Sequence, residues 1–358
     1  MIAPVGSRVV VGMSGGVDSS VSAALLKDQG YDVIGMMLRL WSEEGSQNRC
    51  CAPDAQEEAR FIAGLLEIPF YVVDAREKFY QSVVMPFIDD YAQGRTPNPC
   101  LNCNRFIRWD FLLQRAKTLG AEFLATGHYA RIKKTSTGQY QLLKGQDTKK
   151  DQSYVLHVLT QKNLSQSIFP LGNLNKTQVR KLAGDYSLPV AHRPDSQDLC
   201  FVGQGDYREF LRLKNPAAIK PGPIFDPDGS QIGEHTGLAD YTIGQRKGLG
   251  ISNTEPLYVI RKDIQQNALI VGRSDSLGRQ EFFADQVNWI SGEEPKERIR
   301  ADVKIRYKSR EIPAAITVHN PTSVNVQLES PLPDITPGQA AVFYQGDLCL
   351  GGGIIRSD

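Results

Sequence analysis

Residues 9–21 read VVVGMSGGVDSSV, and this stretch decides the fold of the first part of the chain. The apolar run Arg8–Gly12 predicts a buried parallel strand, and Ser19–Gln29 predicts a helix that Gly30 ends. The glycines between them allow tight turns and the close approach of a ligand. Exposed N–H groups at the start of the helix form an anion site. The stretch therefore predicts a strand–loop–helix unit that binds a phosphate-containing ligand.

Apolar runs and amphipathic stretches alternate outward from this unit to about residue 130. Further strands are predicted at YDVIGMMLRL, PFYVVD and AEFLATGH, with helices over 54–66, 79–91 and 111–119. This βαβα order predicts a doubly wound parallel sheet, whose ligands bind at the carboxyl ends of the strands. Leu38 and Gly127 lie at two such ends, so we expect them to line the ligand crevice.

The character of the sequence changes beyond about residue 205. Pro and Gly become frequent, and short alternating segments from about residue 280 predict strands. We expect an α/β domain over residues 1–204, a small β-rich central domain over 205–278 and a C-terminal β-barrel over 279–358.

The overall composition excludes several classes of protein. The chain has 358 residues, with 41 basic and 40 acidic ones, so any nucleic-acid binding must come from local patches. No apolar run approaches the ~18 residues that a membrane span needs, and the N-terminus is too short and mixed for a signal peptide. We expect a cytoplasmic protein with no membrane partner, whose six cysteines stay reduced.

The glycine-rich loop is not a Walker A loop, because the Gly-Lys-Ser/Thr ending is absent. Asp18 would repel a phosphate unless Mg²⁺ lies between them. The alternative is a strand-to-helix turn in which Ser and Asp cap the helix. The string SGGVDS resembles the pyrophosphate loop of N-type ATP pyrophosphatases, which adenylylate an oxygen and release pyrophosphate. The resemblance implies ATP and Mg²⁺ as cofactors. The residues it implies for ATP binding are Gly12, Met13, Ser14, Gly15, Gly16, Val17, Asp18, Ser19, Leu38 and Gly127.

The segment NPCLNCN, residues 98–104, places two thiols three positions apart in a predicted loop. Together with the distant Cys200, the thiolates of Cys100 and Cys103 could hold a [4Fe–4S] cluster with one iron open for exogenous sulfide. Zinc fits less well, because no fourth ligand is obvious apart from His192. The alternative is a two-cysteine chemistry with Cys100 as a loop-packing thiol. Cys349 is expected in the core. We assign no chemistry to the remaining cysteines, which are Cys50, Cys51 and Cys349.

Several further motifs point to one family. GRTPNPCLNCNRFIRW, ATGHYAR, KDQSYVL, FPLGNLNKTQVRKLA, IGQRKGLGI and TPGQAAVFY together resemble the tRNA-specific 2-thiouridylase family over nearly the whole chain. The resemblance implies a pyrophosphate-loop ATP pyrophosphatase domain at 1–204 and a tRNA-binding barrel at 279–358. It implies an ATP-dependent tRNA sulfurtransferase that adenylylates the 2-oxygen of the wobble uridine. Persulfide-derived sulfur then replaces that oxygen, which gives 2-thiouridine.

The same resemblance assigns roles to two cysteines and to two partners. It implies that Cys200 carries the terminal persulfide sulfur and that Cys103 attacks or resolves, through a transient disulfide that is reduced in each cycle. The implied partners are tRNA and a cysteine desulfurase or sulfur-relay protein. The chain departs from the family at Cys100, where many members have Asp. The proton-handling role of that Asp is therefore not carried over.

The segment VKIRYKSRE places four basic residues at period two, so that a strand would present them on one face. Such a stripe can follow phosphates, although a solvated strand face has the same pattern. The four are Lys304, Arg306, Lys308 and Arg310. The resemblance implies tRNA contacts at Asn98, Pro99, Cys100, His128, Lys150, Asp151, Gln152, Arg306, Tyr307 and Gln339. Further phosphate candidates are Arg105, Arg108, Arg246 and Lys247.

Two other functions are compatible with the glycine-rich loop. A small-molecule ATP-pyrophosphatase ligase of the argininosuccinate or NAD synthetase type would need neither Cys103 nor Cys200, and it leaves the β-rich C-terminal part unexplained. A non-enzymatic ATP-sensing RNA-binding protein would bind ATP without releasing pyrophosphate. The paired cysteines beside the SGGVDS loop disfavour both.

Overall fold

The computed structural model describes residues 3–43, 53–194, 199–202 and 206–357. Cys50 and Cys51 lie outside the described residues. Within the described ranges, no helix combines the length and the apolar character that crossing a membrane requires.

Strands and helices alternate through the first part of the described chain, and strands dominate the rest. The strands are β1 (Arg8–Gly12), β2 (Asp32–Arg39), β3 (Phe70–Asp74), β4 (Phe123–Ala125), β5 (Ala130–Lys134), β6 (Tyr140–Lys144), β7 (Ser167–Ile168), β8 (Gly222–Phe225), β9 (Gln231–His235), β10 (Tyr258–Asp263), β11 (Ala268–Gly272), β12 (Arg279–Trp289), β13 (Ile299–Lys304), β14 (Ile312–Asn320), β15 (Ser323–Leu332), β16 (Ala340–Gln345) and β17 (Leu348–Ile355). The α-helices are α1 (Val17–Asp28), α2 (Pro53–Leu65), α3 (Arg76–Phe79), α4 (Met85–Ala92), α5 (Pro99–Asn102), α6 (Leu113–Thr118), α7 (Ser153–Leu156), α8 (Gln161–Ser165), α9 (Lys176–Asp185) and α10 (Tyr207–Lys214). Two π-helical segments are Tyr80–Val84 and Cys103–Leu112, and 3₁₀ turns are Pro216–Ala218, Leu238–Asp240 and Ser274–Ser276.

The first part of the chain forms a five-stranded sheet in the order β3-β2-β1-β4-β7, with every pairing parallel. Its central strand β1 buries Val9 and Val11 on one face, among residues of α1 and α9. Val10 points to the opposite face, where it packs with Trp109 and Leu112. Helices therefore cover both faces, and the prediction of a doubly wound parallel sheet is confirmed.

The rest of the described chain is mostly β-structure. A four-stranded sheet in the order β10-β11-β8-β9 forms the central part. Strands β12-β15-β14-β13-β16-β17 follow one another around a barrel, which the pairing of β12 with β17 closes. The hairpin β5–β6 of the first part joins this sheet through the pairing of Leu143 with Leu348. The expected β-rich centre and C-terminal barrel are confirmed, and the hairpin fastens the barrel to the part of the chain that forms the parallel sheet.

The segment NPCLNCN is helical, so the prediction of a loop there was wrong. Asn98 is the N-cap of α5, and its side chain accepts a hydrogen bond from the amide of Cys100 at 3.1 Å. Pro99 takes the first helical position, where its fixed φ suits the helix and its missing N–H is not needed. α5, the π-helical segment Cys103–Leu112 and α6 follow one another directly. Cys100 and Cys103 consequently lie on a helix rather than on a mobile turn.

Candidate functional site

We define the pyrophosphate loop as residues 12–19. At two places, Gly15 and Gly127, another segment of backbone comes so close that only glycine fits. Gly15 has φ +69°, and a Cβ there would lie 2.8 Å from the carbonyl oxygen of Ala55. A Cβ on Gly127 would lie 2.9 Å from the amide nitrogen of Ser19. Both positions leave room only for glycine. The end of β4 is therefore pressed against the start of α1, at the sheet edge where the loop lies.

No side chain caps the start of α1, where Gly16 is the N-cap, so the capping alternative was wrong. The hydroxyl of Ser19 instead donates to the carbonyl of Gly16 and accepts from the amide of Ser14 at 3.1 Å. These bonds fold the loop upon itself and leave the amides of the first helical turn for a ligand. This is the geometry of an anion site at a helix N-terminus.

Asp18 is held by two residues that were not among the predicted site residues. The ammonium of Lys176 donates to both carboxylate oxygens at 2.8 Å, and the phenol of Tyr129 donates to one of them at 2.7 Å. Lys176 is the first residue of α9, in the FPLGNLNKTQVRKLA motif, and that motif was the signal that could have found it. A fixed cation thus lies beside the loop, where phosphate charge would be bound.

Arg193 closes the loop from the other side. Its guanidinium donates to the carbonyl of Gly15 at 2.8 Å and pairs with Glu58. Arg180 fixes the backbone of this segment by donating to the carbonyls of Ala191 at 2.6 Å and Arg193 at 2.9 Å. Neither arginine was predicted, because nothing local in the sequence links them to a loop so far away.

Cys103 and Cys200 lie on one hydrophobic cluster, which we call the aromatic cluster. Its rings include Phe201, which stands edge-on to Phe79 with ring centres 5.9 Å apart and to Phe87 at 5.2 Å. Both thiols are half-buried and pack against this cluster. Leu38 packs against the aromatic cluster and also against the core beneath β1. The fold therefore places both predicted sulfur-transfer residues against one hydrophobic cluster, which Leu38 connects to the carboxyl end of β2.

Cys100 has a different environment. It is exposed, and it lies near Tyr307, whose phenol has its pKa raised to about 12, mainly by burial. Within the described residues, which include Cys100, Cys103 and Cys200, no three His, Cys, Asp or Glu side chains are grouped to hold a metal ion. His192 is exposed and joins no such group. Cys100 is not part of the aromatic cluster against which Cys103 and Cys200 pack.

The electrostatics of the site centre on Arg108. Burial raises the pKa of the Cys103 thiol, and the positive charge of Arg108 opposes that rise. Burial also holds the pKa of His128 well below its usual range, with a further contribution from Arg108. Nδ1 of His128 shares a 2.7 Å hydrogen bond with the hydroxyl of Thr126. Arg108, expected on phosphates, is thus half-buried between a predicted nucleophile and a neutral histidine.

The basic stripe is not a continuous strand. β13 ends at Lys304, and the chain then turns, with the amide of Arg306 donating to the hydroxyl of Ser309 at 3.1 Å. Arg306 is half-buried and ion-paired with Asp334 at 3.3 Å. The prediction that a strand aligns all four side chains was wrong, because this turn interrupts the alternation. Lys308 and Arg310 are exposed, as are Arg105, Arg246 and Lys247.

Arg306 holds the turn Thr336–Gln339, which we call the TPGQ turn. Its guanidinium donates to the hydroxyl of Thr336 at 2.5 Å and to the carbonyl of Ile243 at 3.1 Å. Gln339 in turn donates to the carbonyl of Thr96 at 2.7 Å, and the amide of Thr96 donates to the carbonyl of Pro337 at 2.8 Å. The barrel thereby clamps the chain just before Asn98.

In the KDQSYVL segment, two of the residues predicted to contact tRNA, Asp151 and Gln152, make hydrogen bonds within the protein instead. Asp151 is buried, and its carboxylate accepts from the amides of Gly145 and Ser153 at 2.9 and 3.0 Å. The side chain of Gln152 accepts from the amide of Tyr129 at 3.0 Å. Lys150 is half-buried. These residues tie the β5–β6 hairpin to the histidine turn at the nucleotide edge.

A cavity of about 490 Å³ lies between α4, the NPCLNCN segment and the end of the barrel. Asn98 and Pro99 form part of its wall. Three arginines also line it, and these are Arg95, Arg105 and Arg356. Two aspartates line it as well, Asp285 and Asp90, and Asp90 is ion-paired with Arg95. The cavity reaches the segment predicted to contact the target base.

Comparison with known proteins covers each part of this architecture. Family models match residues 7–204 ("tRNA methyl transferase HUP domain"), 208–273 ("tRNA methyl transferase PRC-barrel domain") and 279–355 ("Aminomethyltransferase beta-barrel domain"). A solved 4-thiouridine synthetase–RNA complex with bound ATP aligns with 17% identity over 60% of this chain and 52% of that chain, at a TM-score of 0.36. That likeness is too distant to carry an argument.

Curated relatives are much closer. The tRNA-specific 2-thiouridylase MnmA of Natranaerobius thermophilus is 46% identical over 98% of this chain and 97% of its own length. That of Roseiflexus castenholzii is 44% identical over 98% of this chain and all of its own length. Together with the pyrophosphate loop and the paired thiols, this similarity shows that the chain belongs to the tRNA-specific 2-thiouridylase family.

Proposed function

We propose that this chain is an ATP-dependent tRNA sulfurtransferase that converts the wobble uridine to 2-thiouridine. The observation that carries the proposal is that Cys103 and Cys200 pack against one aromatic cluster in the same domain as the pyrophosphate loop. A small-molecule ligase would have no use for two thiols there, and an ATP sensor would have no use for a nucleophile. We assign the catalytic domain to residues 1–204, the central domain to 205–278 and the tRNA-binding barrel to 279–358, in keeping with the ranges of the three family models.

The nucleotide half of the reaction belongs to the pyrophosphate loop. The amides at the start of α1 bind phosphate oxygens, and Lys176 supplies a fixed positive charge. Asp18 is the carboxylate that would hold Mg²⁺, an ion commonly bound by one or two carboxylates together with substrate phosphates, and it would do so by exchanging its contacts with the ammonium of Lys176 for the metal. When bound, Mg²⁺ would neutralise phosphate charge. Transfer of AMP to the 2-oxygen of uridine releases pyrophosphate and makes that oxygen a good leaving group.

The sulfur half belongs to the aromatic cluster. The terminal sulfur of a Cys200 persulfide attacks C2 of the uridine, and AMP leaves with the oxygen. The thiolate of Cys103 then attacks the sulfur of Cys200, which breaks the bond to the terminal sulfur and leaves that sulfur on the nucleoside. A Cys103–Cys200 disulfide remains, and two electrons from a thiol reductant restore both thiols. A cysteine desulfurase or sulfur-relay protein would reload Cys200 in the cytoplasm, where thiols stay reduced.

tRNA would be bound across the barrel and the NPCLNCN segment. We assign its contacts to Asn98, Pro99, Cys100, His128, Lys150, Asp151, Gln152, Arg306, Tyr307 and Gln339, with the cavity beside Asn98 as the path of the anticodon loop. The buried and internally bonded members of this set would act through the backbone that they position. The target base must leave its stack to reach the thiols.

The decisive experiment separates the two halves of the reaction. Cys200→Ser should lose thiolation of tRNA by about a thousandfold or more, as expected for removal of a nucleophile, while tRNA-dependent pyrophosphate release continues. Cys349→Ala is the matched control, because Cys349 is a buried core thiol far along the chain. Full thiolation by Cys200→Ser with ATP, Mg²⁺ and a persulfide donor would reject the sulfur-carrier assignment.

Iron and acid-labile sulfide content, measured on protein purified without oxygen, tests the competing iron–sulfur chemistry. Two-cysteine chemistry predicts full thiolation by iron-free protein. A stoichiometric cluster that Cys100→Ala removes would contradict it, and would require Cys100 to swing toward Cys103 and Cys200.

A further inference from the structure

The cavity of about 490 Å³ between α4, the NPCLNCN segment and the end of the barrel is separate from the reacting groups. Among the described residues, those that line it include no cysteine and no residue of the pyrophosphate loop. Its volume lies within the range of ~300–1,000 Å³ that is usual for small-molecule sites. The cavity therefore has room for one nucleotide-sized group that is not the reacting base.

His157 is a buried polar group in the wall of this cavity, with 2% of its surface exposed. Its Nδ1 lies 2.7 Å from the carbonyl oxygen of Tyr154, and because a carbonyl can only accept, Nδ1 carries a proton and donates. Burial, with a smaller contribution from the charge of Arg105, lowers the pKa of His157 to about 4. The ring is therefore neutral at neutral pH, and its Nε2 is a hydrogen-bond acceptor.

The acceptor nitrogen of His157 is available to a ligand. Nε2 makes no hydrogen bond within the described residues, and it is not one of the unpartnered atoms sealed inside the protein, so it opens on the cavity. Asn288 supplies a second acceptor in the same wall. Its side-chain nitrogen donates to the carbonyls of His157 at 2.6 Å and Leu159 at 2.9 Å, which leaves Oδ1 for a ligand. Two uncharged acceptors with fixed roles thus line the cavity.

The charged residues of the cavity divide into neutralised and unneutralised groups. Arg95 is ion-paired with Asp90, and Asp285 accepts a hydrogen bond from a serine hydroxyl at 2.8 Å. Arg105 and Arg356 also line the cavity, and within the described residues neither makes an ion pair. Two guanidiniums against the single carboxylate of Asp285 leave a positive surplus. Guanidinium groups bind phosphate well, through paired N–H donors.

These groups restrict the chemistry of a ligand. Apolar side chains, which include Phe106, Val158 and Ile354, line much of the remaining wall and suit a flat, weakly polar body. The two acceptors require N–H donors from the ligand, and they would not hold a phosphate, which offers only lone pairs. The two guanidiniums require an anionic group. A nucleotide combines these features, because the edge of its base carries donors and its phosphate is charged.

We propose that the cavity binds one unstacked nucleotide of the tRNA substrate, other than the target uridine, with its base on His157 and Asn288 and its phosphate on Arg105 and Arg356. That the nucleotide belongs to tRNA rests on the proposed function. Single-stranded RNA loops are commonly recognised in this way, through bases that leave the stack and enter protein pockets. A nucleotide held here would fix the RNA to the barrel and to the NPCLNCN segment together.

The test uses the whole chain without ATP and an RNA hairpin that copies the anticodon arm of the substrate. One loop base at a time is removed to leave an abasic site, and fluorescence anisotropy gives the Kd of each hairpin. In the wild type we expect one removal other than that of the target uridine to weaken binding about tenfold, as is typical of a base held by protein. In His157→Phe, which keeps an aromatic ring but lacks the acceptor, the same removal should lose most of its effect.

A second variant tests the phosphate contact and does not depend on a buried residue. Arg356→Gln, at an exposed arginine, should weaken the binding of every hairpin alike and lower the slope of log affinity against log salt by about one. Arg300→Gln is the matched control, because Arg300 is exposed on the barrel and does not line the cavity. It should change neither quantity. ATP binding should be the same in all three variants, which checks that the fold is intact.

Several outcomes would overturn the nucleotide site. They are a target uridine that is the only sensitive position, a cost of base removal that His157→Phe leaves unchanged, and a salt slope that Arg356→Gln leaves unchanged. The proposed function fails separately. A sensitive position coupled to His157 in a chain that never thiolates tRNA would reject the proposed function and keep the nucleotide site. Active thiolation without any coupled position would reject the nucleotide site alone.

Discussion

The pyrophosphate loop and the two-thiol site belong to one α/β domain, yet they are built in opposite ways. The loop is a run of eight consecutive residues, and most of the groups that shape it, its glycines, its amides and the Ser19 hydroxyl, come from within that run. The thiol site joins Cys103 and Cys200 through an aromatic cluster assembled from distant segments. A local motif can be recognised from its letters, whereas a packed site exists only when the whole domain has folded.

The first prediction breaks the loop without touching the thiols. Asp18→Asn removes a charge that Lys176 and Tyr129 hold, and with it the proposed Mg²⁺ ligand. We expect tRNA-dependent pyrophosphate release to fall about a hundredfold, a magnitude typical of losing one electrostatic contact to a reacting group. Alkylation of Cys103 and Cys200 should not change. Normal pyrophosphate release by Asp18→Asn would remove this residue from the nucleotide site.

The second prediction concerns the close approach at Gly127. Gly127→Ala would place a Cβ 2.8 Å from the carbonyl carbon of Asp18, against backbone that cannot easily move. We expect a loss of about 1–3 kcal/mol in the free energy of unfolding, measured by denaturant titration, and weaker ATP binding. Gly64→Ala in α2 is the matched control, because its Cβ would meet nothing within 4 Å. Equal ATP affinity in both variants would contradict the contact.

A third prediction concerns the hydrogen bonds by which the TPGQ turn of the barrel holds the chain just before the helix that carries Cys100 and Cys103. Gln339→Ala removes the 2.7 Å hydrogen bond to the carbonyl of Thr96. We expect a loss of about 1 kcal/mol in the free energy of unfolding and a few-fold weaker tRNA binding, with ATP binding unchanged. Gln280→Ala, at an exposed site of the barrel, is the control and should change stability by less than about 0.5 kcal/mol. If the two variants bind tRNA equally well, the clamp has no part in presenting the NPCLNCN segment.

The smallest expected effect is a pH dependence at His128, where the two regions meet. Because burial lowers the pKa of His128 in the folded chain, the unfolded chain binds the extra proton below its ordinary pKa of about 6.5. Stability should therefore fall as the pH drops below about 6.5, by at most about 1.4 kcal/mol per pH unit from this group.

His128→Asn should flatten that fall in denaturant titrations compared at pH values of about 7.5 and about 5.5, which lie on either side of the ordinary histidine pKa. His319→Asn is the control, since His319 is exposed on the barrel. An acid dependence that stays as steep in His128→Asn would show that another group is responsible.

The sequence by itself determined the parallel sheet, the barrel and the pyrophosphate loop. Hydrophobic period and glycine placement are local properties, and β1 with its loop occupies the predicted residues. Asn98 followed by Pro99, a capping residue before a proline, is also a sequence signal for the start of a helix, although we predicted a loop there. The basic stripe shows the limit of such patterns, because a turn at Arg306 ended an alternation that the letters alone continued.

Only the tertiary structure decided the partners of the functional side chains. Lys176 pairs with Asp18, and Arg193 donates to the carbonyl of Gly15. Both contacts join residues far apart in the sequence, so they depend on how the helices are packed. The same packing leaves Cys100 exposed while Cys103 and Cys200 are half-buried against the aromatic cluster, a difference that the sequence did not show. Spacing fixes how far apart two residues are along the chain, but burial and helix winding decide which way each side chain faces.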